Sequence, residues 1–210
     1  MKRIAFFGLS ANPPTSVHDS IVCELVERKF DQVIVSICGP RDDKASSKLV
    51  TREQHAALAV LGFPCMPDCV LLDLSDLTRG SLGVRTSTYS QLCRLRGLHS
   101  DADIWCVVGS DLTDGGREES EIGRTWINGK KLWDEFPFVV VPRPKHLAFD
   151  EVLPPRYILL SDRDATSSSE VRRRVSEGKS ISDLVYPEVE RYIREASLYK
   201  ETNNETKTCL

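Results

Sequence analysis

The stretch Ile4-Ala5-Phe6-Phe7-Gly8-Leu9-Ser10-Ala11-Asn12-Pro13-Pro14-Thr15-Ser16-Val17-His18 decides the reading of this chain. An apolar run breaks into a turn of small residues and prolines, and the helical pattern Asp19-Ser20-Ile21-Val22-Cys23-Glu24-Leu25-Val26 follows at once. A strand, a loop and a helix start are thereby predicted. At such a junction the unpaired N–H groups of the first helical turn and the positive end of the helix dipole face the loop, so an anion can settle there without a dedicated cation. Near the other end, Thr166-Ser167-Ser168-Ser169-Glu170-Val171-Arg172 repeats the arrangement with hydroxyls and adds a guanidinium. Two halves of a phosphate site are expected.

Outward from this junction, short apolar runs recur at residues 4–7, 33–37, 69–74, 104–108, 138–141 and 157–160. Their nearly continuous apolar character suits strands buried on both faces of a parallel sheet. Between them, Thr51-Arg52-Glu53-Gln54 offers a capping box ahead of Ala56, Leu58, Ala59 and Leu61, and residues 88–98 carry a shorter helical pattern. The alternation predicts an α/β fold, a Rossmann-like doubly wound parallel sheet with C-terminal helices. In such sheets ligands bind at the topological switch point, which places the loops after Phe7 and Val108 at the site. Ser167 and Glu170 have capping-box spacing, Gly178 is placed as a C-cap, and Pro187 opens a last helix with Val189, Tyr192, Ile193 and Ala196 on one stripe. Residues 113–125, polar and glycine-containing, read as a mobile loop beside the site.

At 210 residues the chain reads as a single domain over 1–199, with a polar tail at 200–210 expected to be disordered. The net charge of −3 and the absence of any Lys/Arg block longer than Arg172-Arg173-Arg174 argue against a nucleic-acid surface. No stretch reaches membrane-spanning length, and the apolar run ending at Ser10 is too short for a secretion signal. Seven cysteines, an odd count without a Cys-x-x-Cys pair or nearby histidine, read as thiols of a reducing compartment, so a cytoplasmic protein without a bound metal of its own is expected. A homo-oligomer is left open.

Two common phosphate fingerprints are absent. There is no Gly-x-Gly-x-x-Gly, and Gly178-Lys179-Ser180 fails as a P-loop because Arg173 stands where the earlier glycine is required. One histidine, hydroxyls, an arginine and helix ends suit direct transfer of a nucleotidyl group by in-line displacement, with positioning and charge neutralisation supplying most of the rate. His55, His99 and His146 lack such a setting and read as surface or packing residues.

Asn12-Pro13-Pro14-Thr15-Ser16-Val17-His18 resembles the Thr/His-x-x-His loop of nucleotidylyltransferases, in the form found in nicotinamide and nicotinate mononucleotide adenylyltransferases. Val108-Gly109-Ser110-Asp111 resembles that family's Gly-x-Asp loop, Trp126 its substrate-stacking tryptophan, and Ser167-Ser168-Ser169-Glu170-Val171-Arg172 its Ser-Ser-Thr-x-x-Arg helix. The resemblance implies that Thr15, His18 and Arg172 are catalytic, with His18 stabilising the pentacoordinate α-phosphate. It implies an ATP site of Gly8, Ser10, Gly109, Asp111, Ser167, Ser168 and Arg172, the last three on the outer phosphates and Asp111 on the ribose. Trp126, Thr88 and Lys44, with Lys48 as an alternative to Lys44, would serve the second substrate. The implied reaction joins ATP and a pyridine mononucleotide into a dinucleotide and pyrophosphate, with Mg2+ bridging ATP phosphates. Where eukaryotic relatives carry a second ring-stacking tryptophan, this chain has Leu72-Asp73-Leu74-Ser75-Asp76. Another nucleotidylyltransferase, acting on phosphopantetheine or with CTP, stays open, as does a non-catalytic nucleotide sensor that has lost turnover through Ala11 and Val17.

Overall fold

Runs rich in Val, Ile and Phe form the strands, because branched and aromatic side chains fit a pleated surface covered on both sides. They are β1 (Lys2–Leu9), β2 (Gln32–Ile37), β3 (Val70–Asp73), β4 (Ala102–Gly109), β5 (Phe138–Val141) and β6 (Tyr157–Leu159). The structure, a computed structural model, describes residues 1–39, 48–64, 66–79, 86–144, 153–162 and 166–200. Every neighbouring pair of strands is parallel, in the order β3-β2-β1-β4-β5-β6. The doubly wound sheet predicted from the sequence is the one observed, with strand ends shifted by one or two residues. Because the order reverses between β1 and β4, the loops that follow them leave the sheet in opposite directions and open a crevice at its carboxyl edge.

The helices are α1 (Ser16–Glu27), α2 (Arg52–Leu61), α3 (Ser75–Arg79), α4 (Thr88–Leu98), α5 (Gly116–Glu119), α6 (Glu121–Thr125), α7 (Gly129–Glu135), α8 (Ser168–Ser176) and α9 (Pro187–Glu195). Strand side chains alternate between two cores. Ala5, Phe7, Val33 and Val35 pack with Ile21, Val22 and Leu25 of α1 and Ala59 of α2. Ile4, Phe6, Ile104 and Cys106 face the other way, towards Leu92 of α4, Ile122 of α6 and Trp133 of α7. A third cluster joins Val171 of α8, Val189 and Ile193 of α9, and Leu198 to Leu58 of α2, which seats the C-terminal helices on the α1–α2 layer.

The caps are as the sequence predicts. Thr51 and Gln54 exchange hydrogen bonds at 2.8 and 3.2 Å, and the Ser167 hydroxyl accepts from the Glu170 N–H at 3.2 Å. After α8, Gly178 takes the left-handed conformation, and Lys179 N–H reaches back to Arg174 O at 2.8 Å. The same closure ends α1 at Lys29 and α9 at Ser197, both non-glycine residues with positive φ, so neither end carries the usual sequence mark.

The expectation for residues 113–125 needs correction: they form α5 and α6 rather than a patternless loop. Arg117 donates from two nitrogens to the carboxylate of Asp134 at 2.8 and 2.7 Å, Ser120 caps α6 by accepting from Gly123 N–H at 3.1 Å, and Ile122 is fully buried. Helices of four and five residues are too short to show a period in sequence; these are set by tertiary partners.

Gly62 caps α2 beneath the loop after β1. A Cβ there would lie 2.1 and 2.4 Å from ring carbons of Pro14, which have no rotamer by which to yield. Gly62→Ala is expected to destabilise the protein by about 1–3 kcal/mol through overpacking. Urea unfolding checks this, and an unchanged midpoint would show that the Pro14 ring gives way.

Candidate active site

Residues 10–15 join β1 to α1 and cannot satisfy their own backbone. Pro13 and Pro14 have no N–H, Ala11 is left-handed at φ 41°, and the Asn12–Pro13 peptide is cis. Distant side chains take the carbonyls instead. His55, on α2, donates from Nε2 to Ser10 O at 2.6 Å; Arg172 donates from Nη1 to Asn12 O at 2.5 Å; Ser168 donates to Pro13 O at 2.8 Å. Ser16 N–H donates to Leu184 O at 3.0 Å, and the Tyr199 hydroxyl to Asn12 Oδ1. His55 is thus more than a packing residue: it is buried and holds the first carbonyl of the loop, and burial holds its pKa below the ordinary value.

Thr15 is the N-cap of α1, and its backbone N–H donates to His18 Nδ1 at 3.0 Å while its hydroxyl lies 2.9 Å from the same nitrogen. A backbone N–H can only donate, so Nδ1 is the acceptor and the proton of the neutral ring sits on Nε2. Burial, and then the charge of Arg143, lower the pKa of His18 to about 4. At neutral pH it is a positioned Nε2–H donor and carries no charge.

Gly109 ends β4, where a Cβ would come within 2.2 Å of Asp111 Oδ1; glycine lets the short turn after β4 fold back on itself. The buried Ser110 hydroxyl accepts from Arg143 N–H at 2.8 Å, and Asp111 Oδ1 lies 3.5 Å from Arg143 Nε. That Nε is buried and makes no hydrogen bond among the described residues. Arg143, unassigned from sequence, brings the β4 and β5 ends together and acts on His18. The signal that could have found it is its position two residues past β5, at the carboxyl edge beside the switch strands.

On α8, Ser167 Oγ caps the helix by accepting from the Glu170 N–H, and the Ser168 hydroxyl donates to Pro13 O. Arg172 also donates to Ser169 Oγ at 3.0 Å. Gly8 is exposed at the end of β1. Thr15, His18, Ser168, Arg172 and the carbonyl of Ser10 are therefore gathered on one loop, with Asp111 and Gly109 joined to it through Arg143. Trp126 is half-buried against the second core, with Gly129 N–H donating to its carbonyl at 2.9 Å, and Thr88 begins α4 on that same side of the sheet. The structure does not place these two in contact with the loop. Lys44 lies outside the described residues, and Lys48 is exposed.

Comparison with known proteins bears on this geometry. A "Probable nicotinate-nucleotide adenylyltransferase" from Salinibacter ruber is 27% identical over 210 aligned residues, covering 95% of this chain and 99% of the relative. The chain is similar along nearly its whole length to that protein. A protein of the same printed name from Streptomyces coelicolor is 33% identical over 127 residues, 60% of this chain, and the match spans 62% of that relative's length. No protein-family model matches. The fold is that of the Plasmodium falciparum nicotinic acid mononucleotide adenylyltransferase solved with NaAD, at a TM-score of 0.78, 23% identity, and coverage of 95% and 98%. A solved Vibrio parahaemolyticus structure has a TM-score of 0.62 at 20% identity, covering 96% and 98%. With the Salinibacter ruber relative and these two solved structures the likeness extends along nearly the whole chain.

With its folded pKa below the ordinary 6.5, His18 contributes stability that is present above that value and lost as pH falls towards 4. An NMR titration should find the His18 ring protonating near pH 4, and Arg143→Ala should move that midpoint upward. A midpoint at or above 6.5 in the wild-type protein would contradict the buried, cation-flanked setting.

Proposed function

We propose that this chain transfers AMP from ATP to nicotinate mononucleotide, or to its amide, giving the dinucleotide and pyrophosphate. A phosphate oxygen of the mononucleotide attacks the α-phosphorus of ATP. A new P–O bond forms as the bond to the bridging oxygen of the β-phosphate breaks, and pyrophosphate leaves with that oxygen. The observation that carries the reading is the neutral His18, its Nε2–H fixed by the Thr15 box at the N-terminus of α1 and flanked by Arg143. A fixed donor and a cation are what the extra charge on the equatorial oxygens of the transition state requires. Arriving phosphate would also raise the His18 pKa and strengthen that hydrogen bond.

In this reading the N-terminus of α8, Ser167 and Arg172 take the outer phosphates, Asp111 the ribose, Gly8 and Gly109 the close approach of the nucleotide, and Trp126 the pyridine ring. Arg172 has five N–H donors in a fixed fork, so it can hold Asn12 O and still meet a phosphate. Among the described residues no three His, Cys, Asp or Glu side chains stand together as a metal site. The Mg2+ that this reaction implies would be carried on ATP phosphates and water. It would supply charge neutralisation on the leaving pyrophosphate. The relatives' names favour the nicotinate form of the acceptor.

A pyrophosphate-release screen with ATP or CTP against phosphorylated acceptors tests the reading: turnover is expected with ATP and nicotinate mononucleotide, and its absence with both pyridine mononucleotides would defeat it. His18→Ala should lower kcat by about a hundredfold or more, the usual cost of removing one donor to a developing anion. Near-normal turnover in the folded variant would remove His18 from the chemistry. Trp126→Ala should raise KM for the mononucleotide and spare that for ATP, since a stacked base is worth roughly 1–3 kcal/mol. Equal rises in both constants would make Trp126 an anchor of α6 alone.

A further inference from the structure

Tyr199 is buried a few residues beyond α9, yet its hydroxyl reaches the Asn12 side chain in the loop between β1 and α1. The chain is bent to bring it there. Ser197 and Tyr199 both adopt left-handed backbone, at φ 50° and 60°, a conformation that non-glycine residues hold only where surrounding structure compensates. The compensation is visible: Leu198 N–H closes back on Ile193 O at 3.0 Å, and Leu198 is buried against α9 in the third core. Asn12 meets the C-terminal region twice, its carbonyl held by Arg172 and its Oδ1 by Tyr199.

We propose that Tyr199 is a positioning residue for nucleotide binding, fixing Asn12 and with it the Arg172 guanidinium, so that the segment after α9 sets the geometry of the phosphate loop. This rests on the proposed function for its kinetic consequence, but the positioning itself is a property of the loop. Burial holds the Tyr199 hydroxyl protonated far above neutral pH, so it remains a donor to Asn12 throughout the working range, while the nearby charge of Arg172 acts in the opposite sense. Tyr199→Phe removes only the oxygen and leaves the ring in its packing. With the hydroxyl gone, Asn12 Oδ1 loses its bond from the segment after α9, while the Asn12 carbonyl still accepts from Arg172.

The test compares wild-type protein, Tyr199→Phe, Asn12→Ala and the double variant, with Tyr192→Phe on α9 as a control outside the site. Steady-state pyrophosphate release and amide hydrogen exchange are measured on each. KM for ATP should rise about tenfold in Tyr199→Phe, the effect of one hydrogen bond, with KM for the mononucleotide close to wild type. Amides of residues 15–18 should exchange faster, and the double variant should be no worse than the more severe single one, because both delete the same interaction. Unchanged KM for ATP in an active wild-type background, or additive losses, would overturn the assignment. If the wild-type protein turns over no acceptor, the proposed function fails, and hydrogen exchange alone judges Tyr199: faster exchange in Tyr199→Phe supports it, and unchanged exchange overturns it.

Discussion

A buried loop with two prolines and a left-handed alanine has carbonyls that it cannot pair, and much of this structure exists to pair them. Ser10 O is held from α2, Asn12 O and Pro13 O from α8, and the entry to α1 from the segment before α9. Buried backbone acceptors left open would each cost on the order of 1–3 kcal/mol. The C-terminal helices therefore do more than cover apolar surface. Their third core on Leu58 fixes where Ser168 and Arg172 stand, and those two side chains fix the loop that begins α1.

That constraint also shapes the loop on which the proposed site is built. The box between Thr15 and His18 turns the imidazole so that Nε2 carries the proton, and burial, with the charge of Arg143 added to it, keeps the ring neutral. Arg172 reaches Asn12 O from α8, while Arg143 pairs with Asp111 past β5 and acts on His18. In the proposed reaction such held donors and cations are what transfer between phosphate oxygens needs from a protein. The overall charge of −3 conceals this local concentration of positive charge.

The local part of the structure was legible in the sequence. Apolar runs marked the six parallel strands, the Thr51 box and Ser167 marked helix starts, Gly178 marked an end, and the small-residue turn after Phe7 marked the switch point. What escaped depends on partners far along the chain. The role of His55 is visible only once α2 lies beneath Ser10, 45 residues away, and Tyr199 meets Asn12 across 187 residues. Lys29 and Ser197 close helices in the manner of glycine without being glycine, and α5 to α7 are too short for periodicity. Arg143 belongs to no spacing rule; only strand order brings it to the side of the sheet where it acts on His18.

The central claim, that the loop between β1 and α1 and the start of α8 form one polyphosphate site, is tested most directly by a crystal structure with a non-hydrolysable ATP analogue. The account predicts the α-phosphate within hydrogen-bond distance of His18 Nε2, the outer phosphates against the backbone of Ser168 and the guanidinium of Arg172, and Arg172 still bonded to Asn12 O. An analogue bound elsewhere, or one whose phosphates leave His18 and Arg172 untouched, would contradict it.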